Sequence, residues 1–417
     1  MCEIPFEIEF LINLTYRCNL SCEMCTQYGE NFKENAKEEL EVGSWINFLD
    51  TIKDLEPKPK IILMGGEPFL YKDIDKLILY AADLGINAHI ITNGYFLDKY
   101  IEVIKDTNTC ITISIDGNGD IHDKIRGQKG LYNKIINTLD KIDELQKQGS
   151  NLKLKINHVL LPDNIENIIN FHNSLKKYNI ETFTFQHLQF SDDNLNKITK
   201  EEWKKRLNIE YKNGLITKKQ YYLSEQFIEK LKNNIEKFKI YCDSTNCYMF
   251  PALEYEELND YYSNTNLDKL RTHRICTSPW LHPVFHPNGD VSNCIGNIIG
   301  NIKEDNFWDI WNNEKADKLR NDLIENGKFT ICTKCCNFYK GNFIVAKNGK
   351  LNINNKEMIL PDELNFIQSS RKIAFIKDPD KQDSIEEDTS FVYPINIHNE
   401  IIHQEILQNH EIINIIK

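Results

Sequence analysis

Cys18, Cys22 and Cys25 stand as C-x3-C-x2-C within the stretch Tyr16-Arg17-Cys18-Asn19-Leu20-Ser21-Cys22-Glu23-Met24-Cys25. Three thiolates on so short a loop can hold three irons of an iron–sulfur cubane and leave the fourth open to a small chelating molecule. A structural zinc site wants four ligands, and no fourth cysteine or histidine lies nearby. A second group follows far downstream: Cys276-x12-Gly289-x4-Cys294, then Cys332-x2-Cys335, with Cys336 directly after it and no cysteine beyond. By spacing alone these four thiolates also fit a zinc ribbon.

The chain that carries them has 417 residues, 62 acidic against 50 basic, and a formal charge of −12. That length fits two or three domains. The acidic balance argues against a nucleic-acid or anionic-membrane partner. No apolar run approaches the roughly 18 residues of a spanning helix, and Met1-Cys2-Glu3-Ile4-Pro5 lacks a secretory signature. A cytoplasmic protein is expected. Its twelve cysteines then point to metal or redox chemistry, because a reducing compartment does not maintain many disulfides.

Residues 7–16 are mostly apolar after Pro5 and read as a buried strand. Further strands at 60–64, 88–92, 109–115, 152–161 and 182–188 alternate with helical patterns at 44–54 (capped by Ser44), 73–84, 97–105, 131–148 and 165–178. A βα unit repeated about six times implies a parallel sheet with helices outside. Six units are too few for an eight-fold barrel, so the expected fold is α/β, an open, partial (β/α)6 barrel. Ligands in such folds sit at the C-terminal ends of the strands. Here those ends carry Cys18, Gly65-Gly66-Glu67, Asn93-Gly94, Asp116-Gly117 and His187.

Residues 1–190 are therefore read as the core. Residues 191–270 are charged and helical, with Trp203, Tyr221, Tyr222 and Tyr241, and read as a connection or insertion. Residues 271–340 read as a small metal-dependent module. Within it His286-Pro287-Asn288-Gly289-Asp290 marks a hairpin turn, and a helix places Trp308 and Trp311 in the core. Residues 341–417 are read as an extension whose apolar runs at 372–376 and 391–397 fit a small sheet, with disorder or a simple packing extension as the alternatives.

The cysteine loop together with the strand-end motifs resembles the radical SAM superfamily, over about residues 8–190. The resemblance implies that Cys18, Cys22 and Cys25 hold a [4Fe–4S] cluster whose open iron binds S-adenosylmethionine. An electron from the reduced cluster then cleaves the sulfonium, and the 5′-deoxyadenosyl radical abstracts a hydrogen. Gly65-Gly66-Glu67-Pro68 resembles the family's GGEP motif, with Glu67 toward the methionine ammonium. Met24 stands where the family often places a residue against adenine. Thr92-Asn93-Gly94 and Ser114-Ile115-Asp116-Gly117 resemble rims that touch ribose hydroxyls and the methionine carboxylate, though Asn-Gly is also a common turn. Ser114 and Asp116, two apart, share a strand face. His122-Asp123 with Arg126-Gly127 resembles the HD-x-x-RG stretch, and pairs Arg126 with the methionine carboxylate. Asn157 is a further polar candidate. Gln186 and His187 end the sixth strand, His187 facing cofactor or substrate or serving as a structural histidine.

After such a core, the second cysteine group resembles the auxiliary-cluster extensions called SPASM and twitch domains. The full SPASM pattern continues with further cysteines that this chain lacks. One auxiliary [4Fe–4S] cluster on Cys276, Cys294, Cys332 and Cys335 is therefore expected, in a twitch-like module. Four ligands would close it, which suits an electron relay. Cys336 is a candidate hydrogen-atom donor or a spare buried cysteine. Cys242 and Cys247 stay unassigned, and Cys2 and Cys110 read as structural. The implied activity is a radical SAM oxidoreductase or peptide-modifying enzyme. Its partners would be a peptide or protein substrate, such as a ribosomally made precursor, and a reducing partner such as flavodoxin or ferredoxin. A small-molecule or carbohydrate dehydrogenase is the enzyme alternative, and a non-catalytic iron–sulfur or zinc protein the alternative of another class. Many peptide-modifying relatives carry a peptide-recognition domain before the core. Here the core begins near residue 8, and residues 341–417 are the place left for that role.

Overall fold

The computed structural model describes residues 8–26, 38–55, 57–211, 217, 225–242, 246–251, 253, 255–267, 270, 276 and 278–336, with the backbone of strands at 342–346, 350–353, 356–359 and 365–369. Seven parallel strands follow the expected alternation: β1 (Glu9–Thr15), β2 (Lys60–Gly65), β3 (Asn87–Thr92), β4 (Cys110–Ser114), β5 (Lys153–Leu160), β6 (Thr182–His187) and β7 (Cys247–Phe250). Between them lie α1 (Val42–Ile52), α2 (Ile74–Asp83), α3 (Ile101–Ile104), α4 (Asp120–Arg126), α5 (Leu131–Lys147), α6 (Ile168–Leu175), α7 (Asp193–Leu207) and α8 (Glu225–Cys242). The chain continues through α9 (Glu257–Ser263), α10 (Ser278–Leu281), β8 (Val284–Phe285), β9 (Asp290–Cys294), β10 (Asn297–Asn301), α11 (Phe307–Trp311) and α12 (Glu314–Asn326).

One ten-stranded sheet results, in the order β10-β9-β8-β1-β2-β3-β4-β5-β6-β7. Its two ends do not pair with each other, so the barrel is open, as expected. β7 goes beyond the six expected strands. At four residues, Cys-Tyr-Met-Phe, it is too short to show a period. α1 also starts earlier than expected. Glu41 is its N-cap, and Ser44 lies inside the first turn, its N–H bonded to the Glu41 carbonyl at 3.0 Å.

The C-terminal module extends the same sheet. β8 runs parallel to β1, pairing Val284 with Leu11 and Phe285 with Ile12. β9 then returns antiparallel across the anticipated turn, where Gly289 N–H bonds the His286 carbonyl at 2.9 Å. An aromatic group closes this joint: Phe48 of α1 lies 4.4 Å from Phe285, and Phe10 of β1 lies 5.5 Å from Phe307 of α11, centroid to centroid. Each buried phenylalanine contributes about 1.5–3 kcal/mol and each aromatic pair about 0.5–1.5 more, so this contact ties the second cysteine group to the first strand. Trp308 and Trp311 are buried in the same core.

Beyond it, β11 (Asn342–Ala346) pairs antiparallel with β14 (Asn365–Ser369), and β12 (Lys350–Ile353) with β13 (Lys356–Ile359). The runs at 372–376 and 391–397 lie outside the described residues, as do Cys2, Tyr221 and Tyr222 and the side chains of Tyr241 and Cys242. No helix among the described residues is long and apolar enough to cross a membrane.

Candidate functional site

The first cysteine loop leaves the C-terminal end of β1, and three neighbouring strand ends hold it. Gly66 N–H bonds the Thr15 carbonyl at 2.7 Å, and Glu67 N–H bonds the Arg17 carbonyl at 2.9 Å. A Cβ on Gly65 would lie 2.1 Å from the Thr15 oxygen, and one on Gly66 would lie 2.2 Å from the Arg17 oxygen. Both glycines are thus required by close approach of two backbones, the second of which leads straight into Cys18. Arg17 is fixed in turn by a bidentate pair with Glu39, both bonds 2.8 Å, and by the Leu70 carbonyl at 2.9 Å.

Glu67 is fully buried. Its Oε1 accepts Thr92 Oγ1–H at 2.7 Å and Phe69 N–H at 3.3 Å, and its Oε2 accepts Asn93 N–H at 2.9 Å. Burial pushes its carboxyl up to about 7, against those three bonds. Within the described structure Glu67 binds the β2 turn to the end of β3, and one acceptor direction of Oε2 is left over. Asn93 extends this bond to the loop: its Nδ2 donates to Asn19 Oδ1 at 3.0 Å and lies 3.9 Å from Cys18 Sγ. Pro68 opens a short 3-10 turn after Glu67.

The next rim supplies a cation. The HD-x-x-RG stretch forms α4, which Gly127 ends in the left-handed region at φ 69°. Arg126 Nε donates to Asp116 Oδ2 at 2.5 Å, and its Nη1 lies 3.9 Å from Cys22 Sγ. Asp116 also accepts Val159 N–H at 2.8 Å. Burial works against both charges, yet each holds the other ionised: Asp116 stays below and Arg126 above its ordinary value. Glu23 N–H bonds the Ile125 carbonyl at 3.1 Å, docking the loop on α4. Asn164, which the motifs did not single out, donates to the carbonyls of Asp116 and Val159 at 3.0 and 2.8 Å.

Two neutral histidines line the back of this rim. His122 Nδ1 accepts Asp116 N–H at 3.0 Å, and His158 Nδ1 lies 3.0 Å from the Ile115 carbonyl. Burial pushes both down to about 4. An unfolded histidine takes its proton near pH 6.5. The stability they contribute is therefore complete above that pH and is lost as pH falls from about 6.5 toward 4. From pH 7.5 to 5.5 the urea midpoint should fall by the equivalent of about 2–3 kcal/mol for the pair. An unchanged midpoint would contradict the neutral, buried state.

Met24 packs in the core. Ser114 is buried at the end of β4, opposite Asn157, whose Nδ2 donates to Gln186 Oε1 at 3.0 Å. His187, only 1% exposed, shares a 2.7 Å hydrogen bond with the Tyr262 hydroxyl of α9. The structure thus brings Glu67, Asn93 and Arg126 to the loop, and packs His187 between β6 and α9.

The second group gathers toward the β10 edge of the sheet. Cys294 ends β9, Cys332 lies in a 3-10 turn (Thr330–Lys334), and Cys335 and Cys336 follow. Cys276, Cys294 and Cys332 are pushed up first by burial and then by neighbouring thiols of the group, and Cys335 first by its bond to Cys336. In the first loop Cys18 is pushed up to about 11 by burial and by Cys22 and Cys25. Cys18 is exposed and Cys22 and Cys25 are half-buried, whereas Cys276 and Cys332 are buried. Each set brings together thiols whose ionised forms repel, and bound iron would stabilise them as thiolates. Among the described residues no three His, Cys, Asp or Glu side chains converge on one ion. Cys247 is disulfide-bonded and Cys110 is unpaired and buried. A polar bridge joins the two sets: the Tyr16 hydroxyl bonds His286 Nδ1, and His286 Nε2 bonds Ser292 Oγ at 2.7 Å. Tyr16 is two residues before Cys18, and Ser292 two before Cys294.

Residues 12–175 match the radical SAM superfamily, and residues 276–336 match SPASM, an iron–sulfur cluster-binding domain. The chain carries both domains, which imply a SAM-binding [4Fe–4S] cluster and auxiliary iron–sulfur binding. It is similar to Fe-coproporphyrin III synthase of Methanosarcina barkeri, 28% identical over 43% of this chain and 43% of that protein. It is also similar to the sporulation killing factor maturation protein SkfB of Bacillus subtilis, 34% identical over 33% of each. The chain thus spans less than half the length of these relatives. Among solved structures, Streptococcus suis SuiB bound to S-adenosylmethionine matches with a TM-score of 0.56 and 18% identity, over 80% of this chain and 76% of that one. SuiB bound to its precursor peptide SuiA gives 0.55, over 80% and 70%. At that identity the likeness establishes the fold.

Proposed function

We propose that this chain is a radical SAM enzyme that modifies a peptide or protein, with one auxiliary [4Fe–4S] cluster as its electron relay. The observation that carries the reading is the first cysteine loop, clasped by Gly66 and Asn93 at the ends of β2 and β3 and by Arg126 at the end of α4. Members of the radical SAM superfamily are enzymes. S-adenosylmethionine on such a cluster supplies a 5′-deoxyadenosyl radical, which abstracts a hydrogen atom from substrate. Cys18, Cys22 and Cys25 would hold that cluster, and Arg126 and Asn93 place donors beside two of the three sulfurs. Ser114 ends β4 and pairs with Asn157 inside β5, beside the rim where the cofactor would lie. Cys276, Cys294, Cys332 and Cys335 would hold the auxiliary cluster, with Cys336 beside Cys335 as a candidate hydrogen-atom donor.

The peptide reading is supported by SkfB, named for maturation of a sporulation killing factor, and by the shared fold with SuiB, solved with a precursor peptide. A reducing partner such as flavodoxin or ferredoxin and a cytoplasmic setting suit the nine cysteines that stand outside disulfides among the described residues. The test is to incubate the anaerobically reconstituted, reduced chain with S-adenosylmethionine and peptides encoded beside its gene, and to follow 5′-deoxyadenosine and peptide mass. A mass change that depends on the chain and on SAM is expected. Turnover with a porphyrin or sugar but with none of the peptides would favour the small-molecule reading.

A further inference from the structure

α7 follows the sixth parallel strand, yet its side chains hold the segment that carries Cys332 and Cys335. Glu202 accepts Thr330 N–H at 2.9 Å and Thr330 Oγ1–H at 2.8 Å. Trp203 stacks on Phe329 at 5.1 Å. Arg206 donates to both oxygens of Asp322, the closest contact 2.7 Å, and to the carbonyls of Gly327 and Lys328 at 2.6 and 3.2 Å. Its guanidinium also lies 3.8 Å from the centre of the Phe329 ring. Just past α7 the chain turns through Asn208 at φ 54° and delivers Tyr211 into the module. Tyr211 is buried, its ring 5.1 Å from Trp203. Its edge lies flat on the turn after Cys294: a Cβ on Gly296 would come within 3.1 Å of two ring carbons. Its ionisable neighbours are Cys294, Cys335 and Cys332. No hydrogen bond from its hydroxyl to protein is found among the described residues.

We propose that Tyr211 is an outer-sphere hydrogen-bond donor to the auxiliary iron–sulfur cluster, its phenol O–H directed at a sulfur of the site formed by Cys294, Cys332 and Cys335. This rests on the reading that these cysteines hold such a cluster. A hydrogen bond to a cluster sulfur withdraws electron density and favours the reduced state, so Tyr211 raises the potential at which the cluster accepts an electron. Glu202, Trp203 and Arg206 are positioning residues: they fix α7 against the cysteine segment, and so fix where Tyr211 is delivered.

The test compares the full-length wild-type chain with Tyr211→Phe, which keeps the ring and removes only the donor. Both are reconstituted anaerobically, analysed for iron and sulfide, and titrated redox-potentiometrically by EPR without SAM. The variant should retain about eight irons and the signal of the first cluster. The midpoint of its second cluster should fall by about 59 mV, a tenfold shift in a one-electron equilibrium. A strongly coupled exchangeable proton, seen at the second cluster by ENDOR in water against heavy water, should be lost. An unchanged midpoint and proton coupling at full iron would overturn the proposal, as would loss of the second cluster altogether, which would make Tyr211 a packing residue. If the variant does not accumulate, absence of the coupled proton in the wild type overturns it as well. Four irons with zinc in the wild type would remove the cluster reading itself, and the metal count tells that case apart.

Discussion

Alanine at Cys18, Cys22 and Cys25 together should remove about four irons from the anaerobically reconstituted chain and abolish release of 5′-deoxyadenosine from SAM. The second cluster's iron should remain. The first loop is held by contacts to β2, β3 and α4, and the second set by β9, the 3-10 turn and α7. The aromatic joint between them passes through Phe10, Phe48 and Phe285 and needs no cysteine. Burial raises Cys18 to about 11 and also raises Cys22, although Arg126 opposes the second shift. Without iron these thiols keep their protons near neutral pH, and metal binding must displace them. Alanine removes the two contacts to sulfur from Asn93 and Arg126, but the loop keeps the Gly66, Glu67 and Glu23 N–H bonds and the Asn93–Asn19 bond. Alanine at Cys276, Cys294, Cys332 and Cys335 should give the mirror result, with the second iron set lost and SAM cleavage retained. Cleavage surviving the first substitution would refute the assignment of the SAM site.

The strand ends were legible because each combines an apolar run with a glycine or polar break, as at Gly65-Gly66 and Asn93-Gly94. What those residues do there was less legible. A Gly-Gly-Glu turn fits a ligand contact as well as a backbone contact. Only the structure shows both glycines pressed on Thr15 and Arg17, with Glu67 receiving Thr92 and Asn93. α4 was missed as a helix because its seven residues carry too little periodicity. The joining of β8 to β1 was hidden for a different reason. A parallel pairing across more than 270 residues is a tertiary choice, and two residues, Val284 and Phe285, leave no pattern that names their partner. The grip of α7 on the Cys332 segment was hidden likewise: Glu202 and Arg206 read as part of a charged, helical connection until Thr330 and Asp322 are brought to them.

Breaking the Asp116–Arg126 pair should have the largest effect on stability of any single polar change at the rim. Both side chains are buried, and Nε lies 2.5 Å from Oδ2. Removing one partner of such a pair leaves an uncompensated buried charge, at a cost of about 3–5 kcal/mol, whereas replacing both is often close to neutral. Arg126→Met alone should therefore lower the urea midpoint by the equivalent of about 3–5 kcal/mol. Asp116→Asn alone should do nearly as much, since Asn can still accept Val159 N–H but cannot balance Arg126. The double variant should recover at least half of the loss. The cluster readout should follow a different rule. Arg126 Nη1 is the group beside Cys22 Sγ, so the EPR signature of the SAM-binding cluster should change in both variants that lack Arg126, the recovered double variant included. A double variant that regains stability and also the wild-type signature would show that the guanidinium serves only the fold. Recovery of stability without recovery of the signature would separate the two roles of Arg126, one toward Asp116 and the other toward the cysteine loop.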